Sequence, residues 1–121
     1  MTKTITLAAL LFLFAQPALA CDYPERPSIP DGNTASKDDL LAAKASVQTY
    51  MEEVDAYLTC IESAEQAAVA EMDNPTAEEL QRREDMLNKR FDAANDEKAL
   101  VGEQFNQQIR AYNAKLKAEA E

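Results

Sequence analysis

The chain has 121 residues, 22 of them acidic and 12 basic, for a formal net charge of −10; it has no histidine, no tryptophan, two glycines and two cysteines. Such a surface repels nucleic acid and anionic headgroups, so neither is an expected partner. The commonest general base and transition-metal ligand is missing, and with Gly32 and Gly102 as the only glycines a phosphate-cradling loop cannot be built.

In chain order, Lys3, an apolar run from Ile5 to Ala15, and then Gln16-Pro17-Ala18-Leu19-Ala20 ahead of Cys21 have the order of a secretory signal peptide. The apolar run is shorter than the roughly 20 residues a membrane span needs. Residues 1–20 are therefore expected to be removed and the mature protein to be periplasmic or secreted. An uncleaved anchor is the competing reading, disfavoured by the A-x-A pattern of Ala18 and Ala20. Losing Lys3 makes the mature chain one charge more negative. Negative charge of this size serves first to keep an exported helical protein soluble.

Cys21 has two possible fates. Lipidation would tether the protein to a membrane, but lipid-modified cysteines usually have Leu three places before them, where this chain has Ala18. Cys21 and Cys60 are the only two cysteines, and an oxidising compartment pairs an even set, which favours a disulfide.

Residues 21–35 read as an extended, Pro-rich arm. Pro24, Pro27 and Pro30 recur every three residues, as suits polyproline II, and Asp31-Gly32 marks a turn at the arm's end. From Ser36 the period changes. Leu40, Val47, Val54, Ile61 and Ala68 recur at seven, with Ala43, Tyr50, Tyr57 and Ala64 between them, which predicts one long helix over about 36–73 with Ser36 as N-cap. Asp38 and Asp39 stand where the helix dipole favours negative charge.

Asn74-Pro75 ends that helix, and Thr76-Ala77-Glu78-Glu79 opens a second as a capping box, predicted over about 76–119. Its apolar stripe runs through Leu80, Leu87, Phe91, Ala94, Val101, Phe105, Ile109, Tyr112 and Leu116. Glu78/Arg82, Glu79/Arg83 and Asp85/Lys89 are favourable pairs four residues apart, and Lys115 and Lys117 suit the last turn.

So short a turn makes the helices antiparallel. The expected fold is all-α, a long coiled-coil-like helical hairpin over 36–121 with the arm disulfide-linked to the first helix. Pairing outward from the turn sets Ile61 near Asn88, Val54 near Asn95, Val47 near Gly102 and Leu40 near Ile109. Gly102 then has two readings: room for Val47 or Tyr50 to approach the opposing backbone, or a break that folds the chain's end into a three-helix bundle. Fifteen residues of polyproline II span roughly 46 Å against roughly 36 Å of helix from 36 to 60, so the arm reaches Cys60 and lays Tyr23 and Ile29 along the first helix. Two helices make a thin core, and a homodimer that turns two hairpins into a four-helix bundle would thicken it.

The remaining chemistry is sparse. Ser28, Ser36, Ser46 and Ser63 lack a histidine partner, and paired cysteines leave no thiolate. Glu52-Glu53, Glu71 with Asp73, and Glu78-Glu79 are candidate carboxylate pairs, but each reads more simply as a solvated face or helix end. No stretch has the ligand spacing of a calcium loop. Lys98 and Glu84 interrupt the second stripe as register-setting or seam-edge residues.

The segment Cys21-Asp22-Tyr23-Pro24-Glu25-Arg26-Pro27-Ser28-Ile29-Pro30-Asp31-Gly32, followed within the first helix by Tyr57-Leu58-Thr59-Cys60-Ile61, resembles a family of small exported proteobacterial proteins to which no activity is assigned. The resemblance covers the arm and first helix and implies an exported helical protein with these two cysteines.

These readings point to a non-enzymatic interaction or structural module, with no cofactor or metal, whose partner is a second copy or another helical protein. A chaperone-like or cation-binding periplasmic stress protein, working through its acidic outer faces, is the alternative. The candidate residues are Cys21 and Cys60 for the disulfide, and Tyr50, Tyr57, Phe91, Phe105 and Tyr112 for packing or partner contact.

Overall fold

A computed structural model describes residues 21–121; the signal-peptide reading falls on residues 1–20, outside them. The described residues form two α-helices, α1 (Lys37–Ala70) and α2 (Ala77–Ala120), packed as a hairpin, with an extended arm at residues 21–30. No helix among them is long and apolar enough to cross a membrane.

Both helices start on reciprocal capping boxes. The Ser36 hydroxyl accepts from the Asp39 N–H at 3.1 Å, and the Asp39 carboxylate accepts from the Ser36 N–H at 2.9 Å. Thr76 and Glu79 repeat the arrangement at 3.1 and 2.8 Å. Each box satisfies N–H groups that a helix start leaves without partners.

α1 stops at Ala70, short of the expected Asp73. The Met72 N–H turns back to the Val69 carbonyl at 3.1 Å, and Asn74 adopts a left-handed backbone with φ 47°. Pro75 bars the right-handed helical region to Asn74, and Asn tolerates the left-handed one, so the end of α1 supplies the non-helical residues of the reversal.

The core departs from a strict heptad. α1 buries Leu40, Ala43, Val47, Tyr50, Val54 and Ile61 as expected, but it also buries Leu58, while Tyr57 is only half-buried and Ala64 is exposed. A straight helix has 3.6 residues per turn, so a seven-residue repeat drifts by about 20° per heptad, and beyond Val54 Leu58 takes the place beside Ile61 that the repeat gives to Tyr57. α2 contributes Ala94 and Val101, with Leu87, Phe91 and Phe105 packed partly buried beside them.

The arm runs antiparallel to α1 and touches both helices rather than α1 alone. Arg26 pairs with Glu97 at 3.1 Å and hydrogen-bonds Gln104, and the Gly32 N–H donates to the Gln108 side-chain oxygen at 2.9 Å, all on α2.

Gly32 lies in the expected turn, but the close backbone approach expected at Gly102 is found at Gly32 instead. α2 runs unbroken through Gly102, so the chain's end does not fold back as a separate helix, and a Cβ there would meet only the Met51 methyl at 3.6 Å, an ordinary contact. The close approach occurs at Gly32, where a Cβ would collide with the Gln108 carbonyl oxygen and lie 2.9 Å from the Tyr112 nitrogen.

The register agrees with pairing outward from the turn: Arg83 forks onto Glu65 at 2.6 and 3.0 Å, Arg90 reaches Tyr57, and Lys98 reaches Asp55. Arg83 therefore crosses the hairpin instead of pairing with Glu79, which the capping box engages.

Candidate functional site

Tyr50, Glu53, Tyr57 and Cys60 are spaced by three and four residues, which puts them on one side of α1. The arm lies on that side. Its first residue, Cys21, is disulfide-bonded to Cys60 with the Cα atoms 5.7 Å apart, so the sulfur that lipidation would need is already bonded. Closing a loop across 39 residues stabilises the fold by roughly 4 kcal/mol in the chain-entropy model.

A short aromatic ladder continues the clamp. The Tyr23 ring stands edge-on to Tyr57 at 5.0 Å and 76°, and the Tyr23 and Tyr50 hydroxyls share a hydrogen bond of 3.1 Å. From α2, Arg90 donates to the Tyr57 hydroxyl at 3.0 Å and lies over its ring, 5.7 Å from the centroid. Tyr50 is 2% exposed. That burial, with the Tyr23 hydrogen bond, pushes its phenol far above the ordinary range, so the hydroxyl stays neutral at any physiological pH.

At the arm's other end Lys115 donates to the Ala35 carbonyl at 3.0 Å and sits 5.0 Å from the Tyr112 ring centroid. The clamp thus runs the length of the arm, from Cys60 to Lys115.

The five candidate aromatics do not converge on one point. Tyr50 and Tyr57 belong to the arm clamp, Phe91 packs against the core midway along α2, and Phe105 and Tyr112 line a groove at the open end of the hairpin. Sequence reasoning missed Arg26, Arg90, Gln104 and Gln108, whose partners are far away in the chain, and it placed Lys115 in the last turn of α2, where only Lys117 lies, rather than against the arm. The one available signal was a surplus of long polar side chains near the α2 stripe.

The carboxylates have local explanations. Hydrogen bonds from the Ser36 side chain and backbone hold Asp39 below the ordinary carboxylate range, and those from the Thr76 backbone and side chain do the same for Glu79. Arg110 lowers Glu103 through a hydrogen bond and its charge. Among the described residues no three Cys, Asp or Glu side chains converge closely enough to hold a metal ion, and no buried side-chain polar atom lacks a partner.

The side of the hairpin away from the arm is different. Val54 and Ile61 mark the core line; Tyr50 and Tyr57 fall on its arm side, Met51 and Asp55 on the other. There, at the open end, Leu41, Phe105, Ile109 and Tyr112 form a groove of about 390 Å³ edged by Lys37, Lys44 and Asn113. Leu41 is 53% exposed and Leu116 44%. Among the described residues no third element covers these side chains. No family model, no curated protein and no solved structure matches the chain.

Proposed function

We propose that the protein is a non-enzymatic interaction or structural module of the periplasm or extracellular space, and that its working surface is the arm-free face of the hairpin. One observation carries this reading. The arm covers one side of a thin two-helix core, while on the other side Leu41, Phe105, Ile109 and Tyr112 line an apolar groove that no other element among the described residues covers. Export is supported by the signal-peptide order of residues 1–20, the arm's resemblance and the Cys21–Cys60 disulfide.

The test places a photo-reactive side chain at the exposed Asn106, on the rim of the groove, in cells that export the protein. A discrete cross-linked adduct that disappears with Leu41→Glu is the expected result. Absence of any adduct, together with suppression of client aggregation by the purified protein, would reject it in favour of the chaperone-like alternative.

A further inference from the structure

We propose that the occupant of the arm-free face is a second copy of the same chain, docked antiparallel about a two-fold axis near Gly102 to form a four-helix bundle. The inference rests on the reading of that face as the working surface and names its partner.

The distribution of charge is the main argument. At the open end the face carries Lys37 and Lys44, and neither is engaged in an ion pair. Toward the turn, Glu62 continues the face seven residues after Asp55, and Glu84 continues it seven residues before Phe91; both are exposed and outside any ion pair. The strip is thus basic at one end and acidic at the other. A two-fold axis perpendicular to it lays each basic end on the partner's acidic end, with Lys44 opposite Glu62 of the partner subunit. An acidic helix from another protein would satisfy the lysines but meet like charge at Glu62 and Glu84. A second copy satisfies both ends at once.

Gly102 supplies a separate argument. Positions 44 and 62 are symmetric about the level of Met51 to Asp55, and the Met51 methyl lies 3.6 Å from where a Gly102 side chain would begin, while Asp55 pairs with Lys98. The axis implied by the charges therefore passes beside the glycine. Nothing among the described residues requires Gly102, since alanine would fit, and glycine within a helix is unfavourable. Close approach of a second backbone at the axis is what a missing side chain allows there. On α2 its neighbour one turn back is Ala99, whose side chain is a single methyl.

The face is also large enough. From Lys37 to Val69 it runs about 48 Å, and two helices side by side are about 20 Å across, a footprint of roughly 900 Å² against about 800 Å² per partner in stable interfaces.

The experiment measures molar mass by light scattering on oxidised residues 21–121 across the micromolar range, with helicity monitored throughout. Twice the monomer mass is expected. Lys44→Glu and Glu62→Lys should each weaken dimerisation about tenfold or more, and combining them should restore most of it. Gly102→Ala should raise the melting temperature of dilute, monomeric protein while weakening the dimer. A monomer at every concentration, or a double charge reversal that fails to restore the dimer, overturns the proposal. A monomeric mass alongside an Asn106 adduct to a different polypeptide overturns self-association and leaves the interaction reading standing; a monomer with no adduct overturns both.

Discussion

The clamped part of the hairpin, from Ser36 to Ile61 with the facing part of α2, and the tip from Glu62 to Leu87 are built from similar helices but stabilised differently. Among the described residues every fully buried side chain lies in the clamped part; beyond Ile61 on α1 and before Ala94 on α2 nothing is fully buried. The tip relies on the Glu65–Arg83 fork, the Thr76 capping box and half-buried Val69 and Leu87. Two helices alone bury one narrow stripe. A third element, even an arm without regular structure, widens the stripe into a core, and here the arm extends no further toward the tip than Cys60.

The largest expected effect that sharpens this contrast comes from removing the disulfide. Cys21→Ser with Cys60→Ser should lower stability by roughly 4 kcal/mol, read by denaturant titration, and native-state hydrogen exchange should then show faster opening in the clamped part with little change at the tip. Equal acceleration in both parts would break the distinction.

Next in size is a pair of truncations. Ile61 is 1% exposed, so Ile61→Ala should lower stability by about 3 kcal/mol, whereas Val69→Ala in the half-buried tip should lower it by under about 1 kcal/mol. Urea midpoints compare them directly.

The two glycines should move in opposite directions. Gly32→Ala forces the arm's end away from the α2 backbone and should lower stability by about 2 kcal/mol, while Gly102→Ala should raise that of the dilute monomer by up to about 1 kcal/mol. Thermal melts at low concentration read both.

The parts of the structure legible in the chain were those encoded locally. Ser36 and Thr76 announce helix starts within four residues, and the Val47–Val54–Ile61 repeat marks the core face. Leu58 was missed because counting sevens assumes a supercoiled period, while these helices keep closer to 3.6 residues per turn. The arm's hold on α2 was missed for another reason. Arg26 to Gln104 and Gly32 to Gln108 join residues 78 and 76 positions apart, and single polar pairs at such distance leave no periodic trace. The open-end groove was only partly legible: Phe105 and Tyr112 stood out as aromatics, but Leu41 lies outside the seam repeat.

The smallest effect concerns acid. Asp39 and Glu79 have folded-state values below the ordinary 3.8 and 4.5, so their contribution is complete above those values and is lost as pH falls through the lowered ones. Stability should therefore decline at the acid end, below about pH 4, and Asp39→Asn with Glu79→Gln should flatten that decline in melts taken from pH 5 downward.

The central claim is that the arm and the partner occupy opposite sides of one hairpin. Molar mass by light scattering of residues 21–121, compared between the disulfide-bonded protein and the Cys21→Ser/Cys60→Ser variant under conditions where both remain helical, tests it most directly. A dimer in both is the expected result, because releasing the arm leaves the Leu41, Gly102 and Ile109 side untouched. A dimer that vanishes when the arm is freed, or forms only then, would put the interface on the arm's side and contradict the claim.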